Sequence, residues 1–162
     1  LARLDAQLAT LAAMTGDAQA VTSALVDDAV PLSREEKAWV IQEALLTGGA
    51  ARGLRVVREL LDVSRQSDVL VTWAVTDMLK RLHAAARMSR SGASPGEMRK
   101  ALKLWGPAGD ATVSMAASVD PAVLARLLGS ALDHQQRLRR GIGRADRMLD
   151  MMIVEISEAL AA

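Results

Sequence analysis

The chain has no cysteine, no phenylalanine and no tyrosine, and only three tryptophans and four prolines in 162 residues. Without cysteine there is no disulfide framework and no thiolate metal site. With aromatic residues at 2% of the sequence, Ala, Leu, Val and Met must fill the core. That mixture favours helices, because strands prefer β-branched and aromatic side chains. No apolar run reaches the ~20 residues needed to span a bilayer, and Met151-Met152-Ile153-Val154 reads as a core stripe. The opening lacks the basic and apolar regions of a signal peptide. A start at Leu1, inside a helical pattern, predicts a fragment of a longer soluble, cytoplasmic protein.

Chemical motifs are absent as well. There is no GxxxxGK[ST] loop for cradling phosphates. TGGAARG at 47–53 is glycine-rich, but it follows a helix rather than a strand and reads as a helix–helix turn. No Ser-His-Asp or Cys-His arrangement is readable. His83 and His134 fall on different predicted helices without HExxH-like spacing, which favours structural roles. Neither a catalytic residue, a metal site nor a cofactor is expected.

Apolar spacing and breakers then place the helices. Leu4, Leu8, Leu11 and Ala12 share one face of a first helix that Gly16-Asp17 ends, and a short helix follows over about 18–26. Pro31 marks a boundary. Ser33 and Glu36 read as a capping box opening a helix that buries Ala38, Ile41, Ala44 and Leu45. Gly48-Gly49 turns it into an antiparallel partner with Leu54, Val57, Leu60 and Leu61 inward. Ser67 or Asp68 caps a long helix with the stripe Val71, Val75, Met78, Leu79, Leu82 and Ala86. Ser94, Pro95 and Glu97 open a short helix. A further short helix spans about 108–118. Asp120-Pro121 starts one burying Leu124, Leu127, Leu128, Ala131 and Leu138, and the last runs over about 144–161. The fold class is all-α, a helical bundle with a small N-terminal helical piece.

The net charge of +1 hides an uneven distribution. Residues 1–32 carry one Arg against four Asp, while Lys80, Arg81, Arg87, Arg90, Arg99, Lys100 and Lys103 face only Glu97 in their segment. That excess suits a polyanion; it equally suits a solvated face with salt bridges to a neighbouring subunit. Aromatic residues are not interleaved within 80–103, which argues against base stacking there. Trp39 and Trp73 read as core or interface anchors, and Trp105 as a pin holding the short helix to the bundle. Met148, Met151 and Met152 read as a core stripe in preference to an adaptable partner surface.

The order of these segments is similar to the δ subunit family of the bacterial DNA polymerase III clamp loader. LARLDAQLATLAAMTGD looks like that family's lid-domain helix, and SREEKAWVIQEALLTGGAARGLRVVRELL matches its helix pair, with EKAWVIQ the most distinctive run. DVLVTWAVTDMLKRLHAAARM, SPGEMRKALKLWGP, DPAVLARLLGSALDHQQRLRRG and LDMMIVEISEAL resemble the helices that follow. The chain departs from the pattern in lacking Phe and Tyr and in the Gly-rich loop before the last helix.

The resemblance implies that residues 1–31 end a helical lid and residues 32–162 form the C-terminal collar. The family's AAA+-like module, which opens the sliding clamp, would lie outside this sequence, so no clamp-binding residue carries over. The implied function is collar-mediated assembly of the loader that places the sliding clamp on primed DNA during replication. It is a non-catalytic accessory role in the polymerase holoenzyme, with the other loader subunits as partners and no membrane. The alternative is a helical nucleic-acid-binding module using the basic 80–103 face. Lys80, Arg81, Arg87, Arg99, Lys100 and Lys103 are the candidate DNA- or subunit-facing residues.

Overall fold

The structure is a computed structural model in which residues 2–15, 21–22 and 34–161 are described. The chain forms two compact units, Leu1–Arg34 and Glu35–Ala162. Among the described residues there are seven α-helices and no strand. The all-α expectation holds. Pro31 and the Ser33 cap lie outside the described residues; so does the predicted helix over 18–26 except for Val21 and Thr22, which are in no helix.

The first unit contributes α1 (Ala2–Thr15), in which the Thr10 and Thr15 hydroxyls donate back to the carbonyls of Ala6 and Leu11. Leu8, expected on a packed face, is exposed.

The next helix, α2 (Arg34–Arg58), belongs to the second unit from Glu35 onward and is two helical segments joined at Gly49. Gly49 sits at φ 62°, ψ −165°, a backbone region that side-chain-bearing residues essentially avoid. The chain folds back there, so that Arg52 donates to Thr47 Oγ1 at 2.9 Å and to Glu43 Oε1 at 3.2 Å. Gly53 then meets the first segment: an added Cβ would lie 2.9 Å from Leu45 and 2.9 Å from Ile153. Only hydrogen fits at that crossing. Of the expected inward residues, Ala38, Ile41, Ala44, Leu45, Val57 and Leu60 are buried, while Leu54 and Leu61 are only partly so. The hairpin ends in a π-helical turn, Glu59–Val63, which periodicity did not anticipate.

The long helix α3 (Asp68–Arg90) runs through the centre of the unit. Ser67 caps it, its hydroxyl accepting from Leu70 N at 3.1 Å, an interaction worth about 1 kcal/mol. Ten of its residues are buried, including the whole predicted stripe. The helices α4 (Pro95–Leu102), α5 (Gly106–Met115), α6 (Pro121–Arg139) and α7 (Ala145–Ala161) all pack on it, α6 most extensively.

Two apolar clusters result. The larger joins the hairpin, α3, α6 and α7 through side chains such as Ile41, Val57, Leu79, Leu124, Leu149 and Ile153. The smaller gathers Ala85, Met98, Leu104, Val113 and Ala116 under α4 and α5. Three buried polar side chains on and around α3 are satisfied, whereas His134 Nδ1 on α6 and Ser157 Oγ on α7 are buried without a hydrogen-bond partner among the described residues. Thr72 and Thr76 donate to the carbonyls four residues earlier, and Gln42 Nε2 donates to Ala74 O at 2.8 Å. Leaving such a group unpaired would cost about 1–3 kcal/mol.

α4 opens with a complete capping box. Ser94 N–H donates to Glu97 Oε2 at 2.7 Å, and Glu97 N–H donates to Ser94 Oγ at 3.3 Å. The backbone and hydroxyl hydrogen bonds from Ser94 hold the Glu97 carboxyl below its ordinary range.

Two predictions follow from this local chemistry. Gly49→Ala should lower stability by about 1–3 kcal/mol through backbone strain, whereas Gly129→Ala, at an open site inside α6, should raise it by about 0.5–1 kcal/mol; urea unfolding measures both. Because the Glu97 value is depressed on folding, its contribution is present at neutral pH and is lost as pH falls through the folded-state value. The melting temperatures of the parent and of Glu97→Gln should therefore differ at pH 7 and converge in acid.

Candidate functional site

The basic segment is divided by the fold. Lys80, Arg81 and Arg87 project from α3, Arg99 and Lys100 from α4, and Lys103 terminates α4. Arg81 is engaged within the chain. Its Nε lies 2.6 Å from Asp77 Oδ2, and its guanidinium sits 5.7 Å from the centre of the Trp39 ring. Trp39 in turn meets Trp73 edge-on, with ring centres 4.9 Å apart. These two tryptophans act as anchors between α2 and α3. Arg99 is likewise paired, Nη2 donating to Asp110 Oδ1 at 2.8 Å and tying α4 to α5.

Lys80, Arg87, Lys100 and Lys103 are exposed. α4 covers the C-terminal part of α3 through the smaller cluster, so Arg87, Lys100 and Lys103 belong to that end of the unit. Lys80 lies about two helical turns earlier on α3. Arg87, with Ala84, Met88 and Ser91, borders a shallow depression of about 290 Å³.

Trp105 corrects an expectation. It does not pin the short helix; it is 72% exposed. The reason is local. Lys103 adopts a left-handed conformation (φ 52°), and the chain leaves α4 with Leu104, not Trp105, directed into the smaller cluster. The most exposed of the three tryptophans therefore stands two residues beyond Lys103, just outside the 80–103 segment that lacks aromatics. The Trp-Gly-Pro sequence was a visible signal, since Gly106 and Pro107 begin a new helix and leave Trp105 at its extended N-cap.

The methionines also separate. Met148 and Met152 are core, whereas Met151 is 66% exposed. It lines a groove of about 520 Å³ between the second segment of α2 and α7. Leu54 and Val154 join it in the apolar floor, and Arg58, paired with Asp150, closes one side. Glu155 and Glu158 stand along the rim. Glu155 accepts a hydrogen bond from Ser130 Oγ at 3.1 Å.

TGGAARG closes the helix hairpin, as its position after a helix implied, with Arg52 held by Glu43 and Thr47. Arg144 and Asp146 form an exposed pair at the start of α7. Their side-chain hydrogen bond raises the guanidinium value and lowers the carboxyl value. Among the described residues no three His, Cys, Asp or Glu side chains come together as a metal-binding group, and no helix is long and apolar enough to cross a membrane. The arrangement offers surfaces for binding: a lysine- and arginine-bearing end with an exposed tryptophan, and an apolar groove with an acidic rim.

No family model matches the chain, and no curated protein matches it in sequence. A solved structure, the Bacillus subtilis DNA clamp loader delta protein (YqeN), is similar with a TM-score of 0.74 and 12% identity, over 98% of this chain. The chain spans 46% of that protein's length. The likeness is one of fold, and the chain has a clamp-loader-type helical architecture.

Proposed function

We propose that the chain is part of a clamp-loader δ subunit, with residues 1–31 ending its lid and residues 32–162 forming its collar. Its task in this reading is assembly. The collar packs beside those of the other loader subunits in the cytoplasm, in a loader that places the sliding clamp on primed DNA. The chain does no chemistry of its own, and contact with the clamp belongs to the family's AAA+-like module. The likeness in fold to the Bacillus subtilis delta protein carries this reading. The helix order legible in the sequence supports it, as does a rigid bundle with apolar surface left on outer faces, among them Met151 and Trp105.

A second reading has its own support, the exposure of Trp105 beside Lys100 and Lys103. A cationic face tracks a phosphate backbone, and an exposed indole stacks on a base whatever its identity. The two readings are compatible, because a loader acts on primed DNA.

Two experiments test them. Mixed with the other loader subunits of its organism, the folded chain should enter a stoichiometric complex detectable by native mass spectrometry; a folded chain that joins none of them refutes the assembly reading. Binding to a primed oligonucleotide, measured by fluorescence anisotropy, should weaken steeply with salt. Trp105→Ala should cost about 1–3 kcal/mol there, and Lys100→Ala with Lys103→Ala should flatten the salt dependence. Equal binding by all variants would remove the nucleic-acid reading and leave the first intact.

A further inference from the structure

We infer that the groove between α2 and α7 is the seat of a helix from a neighbouring loader subunit, one whose apolar stripe is flanked by lysine or arginine. This deepens the assembly reading and rests on it.

The shape of the groove points to a helix. Leu54 and Arg58 lie four residues apart on one wall, and Met151, Val154, Glu155 and Glu158 recur at three- and four-residue spacing on the other. Both walls are therefore helix faces, and the trough runs along them. A third helix fits such a trough by setting its own apolar ridge between the two. Residues 151 to 158 span about 10 Å of helix, so the seat accepts roughly two turns.

The floor asks to be covered. Met151 is 66% exposed beside the partly buried Leu54 and Val154, and its unbranched side chain adapts to a partner. Met148 and Met152, its neighbours in sequence, are buried in the chain's own core. Met151 alone of the three takes no part in that packing.

Charge selects the occupant. Arg58 and Asp150 neutralise each other at one edge. Glu155 and Glu158, further along the α7 wall, make no ion pair among the described residues and leave two negative charges there. A helix with cations beside its apolar stripe is attracted there, and one with carboxylates is repelled.

The absence of cysteine supplies the test. Met151→Cys places a single thiol in the groove, and Ala125→Cys places one on the exposed side of α6 as a control. Each full chain is labelled with a maleimide–benzophenone photocrosslinker, mixed with the other loader subunits and irradiated. Crosslinked peptides are identified by mass spectrometry.

The Met151 probe should capture one helix of another subunit with Lys or Arg bordering apolar residues, and the Ala125 probe should not. Glu155→Lys with Glu158→Lys should weaken assembly on the order of tenfold. Circular dichroism checks that the fold is retained. Crosslinks confined to a second copy of this chain, or to a helix without flanking cations, overturn the inference. So does normal assembly of the charge-reversed chain, which leaves the assembly reading standing. If the parent chain joins no loader subunit, the assembly reading fails and the groove's assignment falls with it.

Discussion

The second unit depends on the burial of α3 on nearly all sides. Val71, Ala74, Val75, Leu79, Leu82, Ala85 and Ala86 are all fully buried. Four helices and the α2 hairpin pack around them. Polar side chains at the heart of this packing are paired locally or between the hairpin and α3. Thr72 and Thr76 turn their hydroxyls onto the helix's own carbonyls, and Gln42 brings its amide to Ala74 O. Small residues on α3 let its neighbours approach, and with neither Phe nor Tyr available the core is closed by aliphatic side chains and methionine.

The hairpin of α2 is positioned by two glycines acting differently. Gly49 adopts the backbone geometry that reverses the chain, and Gly53 removes the side chain that would hold the returning segment off Leu45 and Ile153. Close contact at Gly53 sets α7 against α2, and the groove with Met151 in it opens beside that contact. At the other end, the left-handed Lys103 sends Leu104 inward and leaves Trp105 outside. Both candidate surfaces thus arise from backbone features that also serve packing.

Charge followed the same logic of position. Seven cations cluster between residues 80 and 103, yet they do not form one face. Arg81 lies against Trp39 and Asp77, and Arg99 holds Asp110. Those two cations join elements together, whereas Lys80, Arg87, Arg90, Lys100 and Lys103 remain at the surface.

The helical class and most helix boundaries of the second unit could be read from the order of the amino acids. The inward stripes, a cap at Ser67 or Asp68 and the Ser94–Glu97 capping box were legible there too. Apolar periodicity, caps and breakers act over a few residues, so neighbouring letters suffice to read them. Tertiary structure alone decided which cations were already paired and which methionine was left out of the core. It also decided that Leu104 rather than Trp105 fills the space under α4, and that two distant segments enclose a groove. Those outcomes turn on contacts such as Arg58 with Asp150, 92 positions apart, and no local pattern encodes which side chain a remote helix will meet.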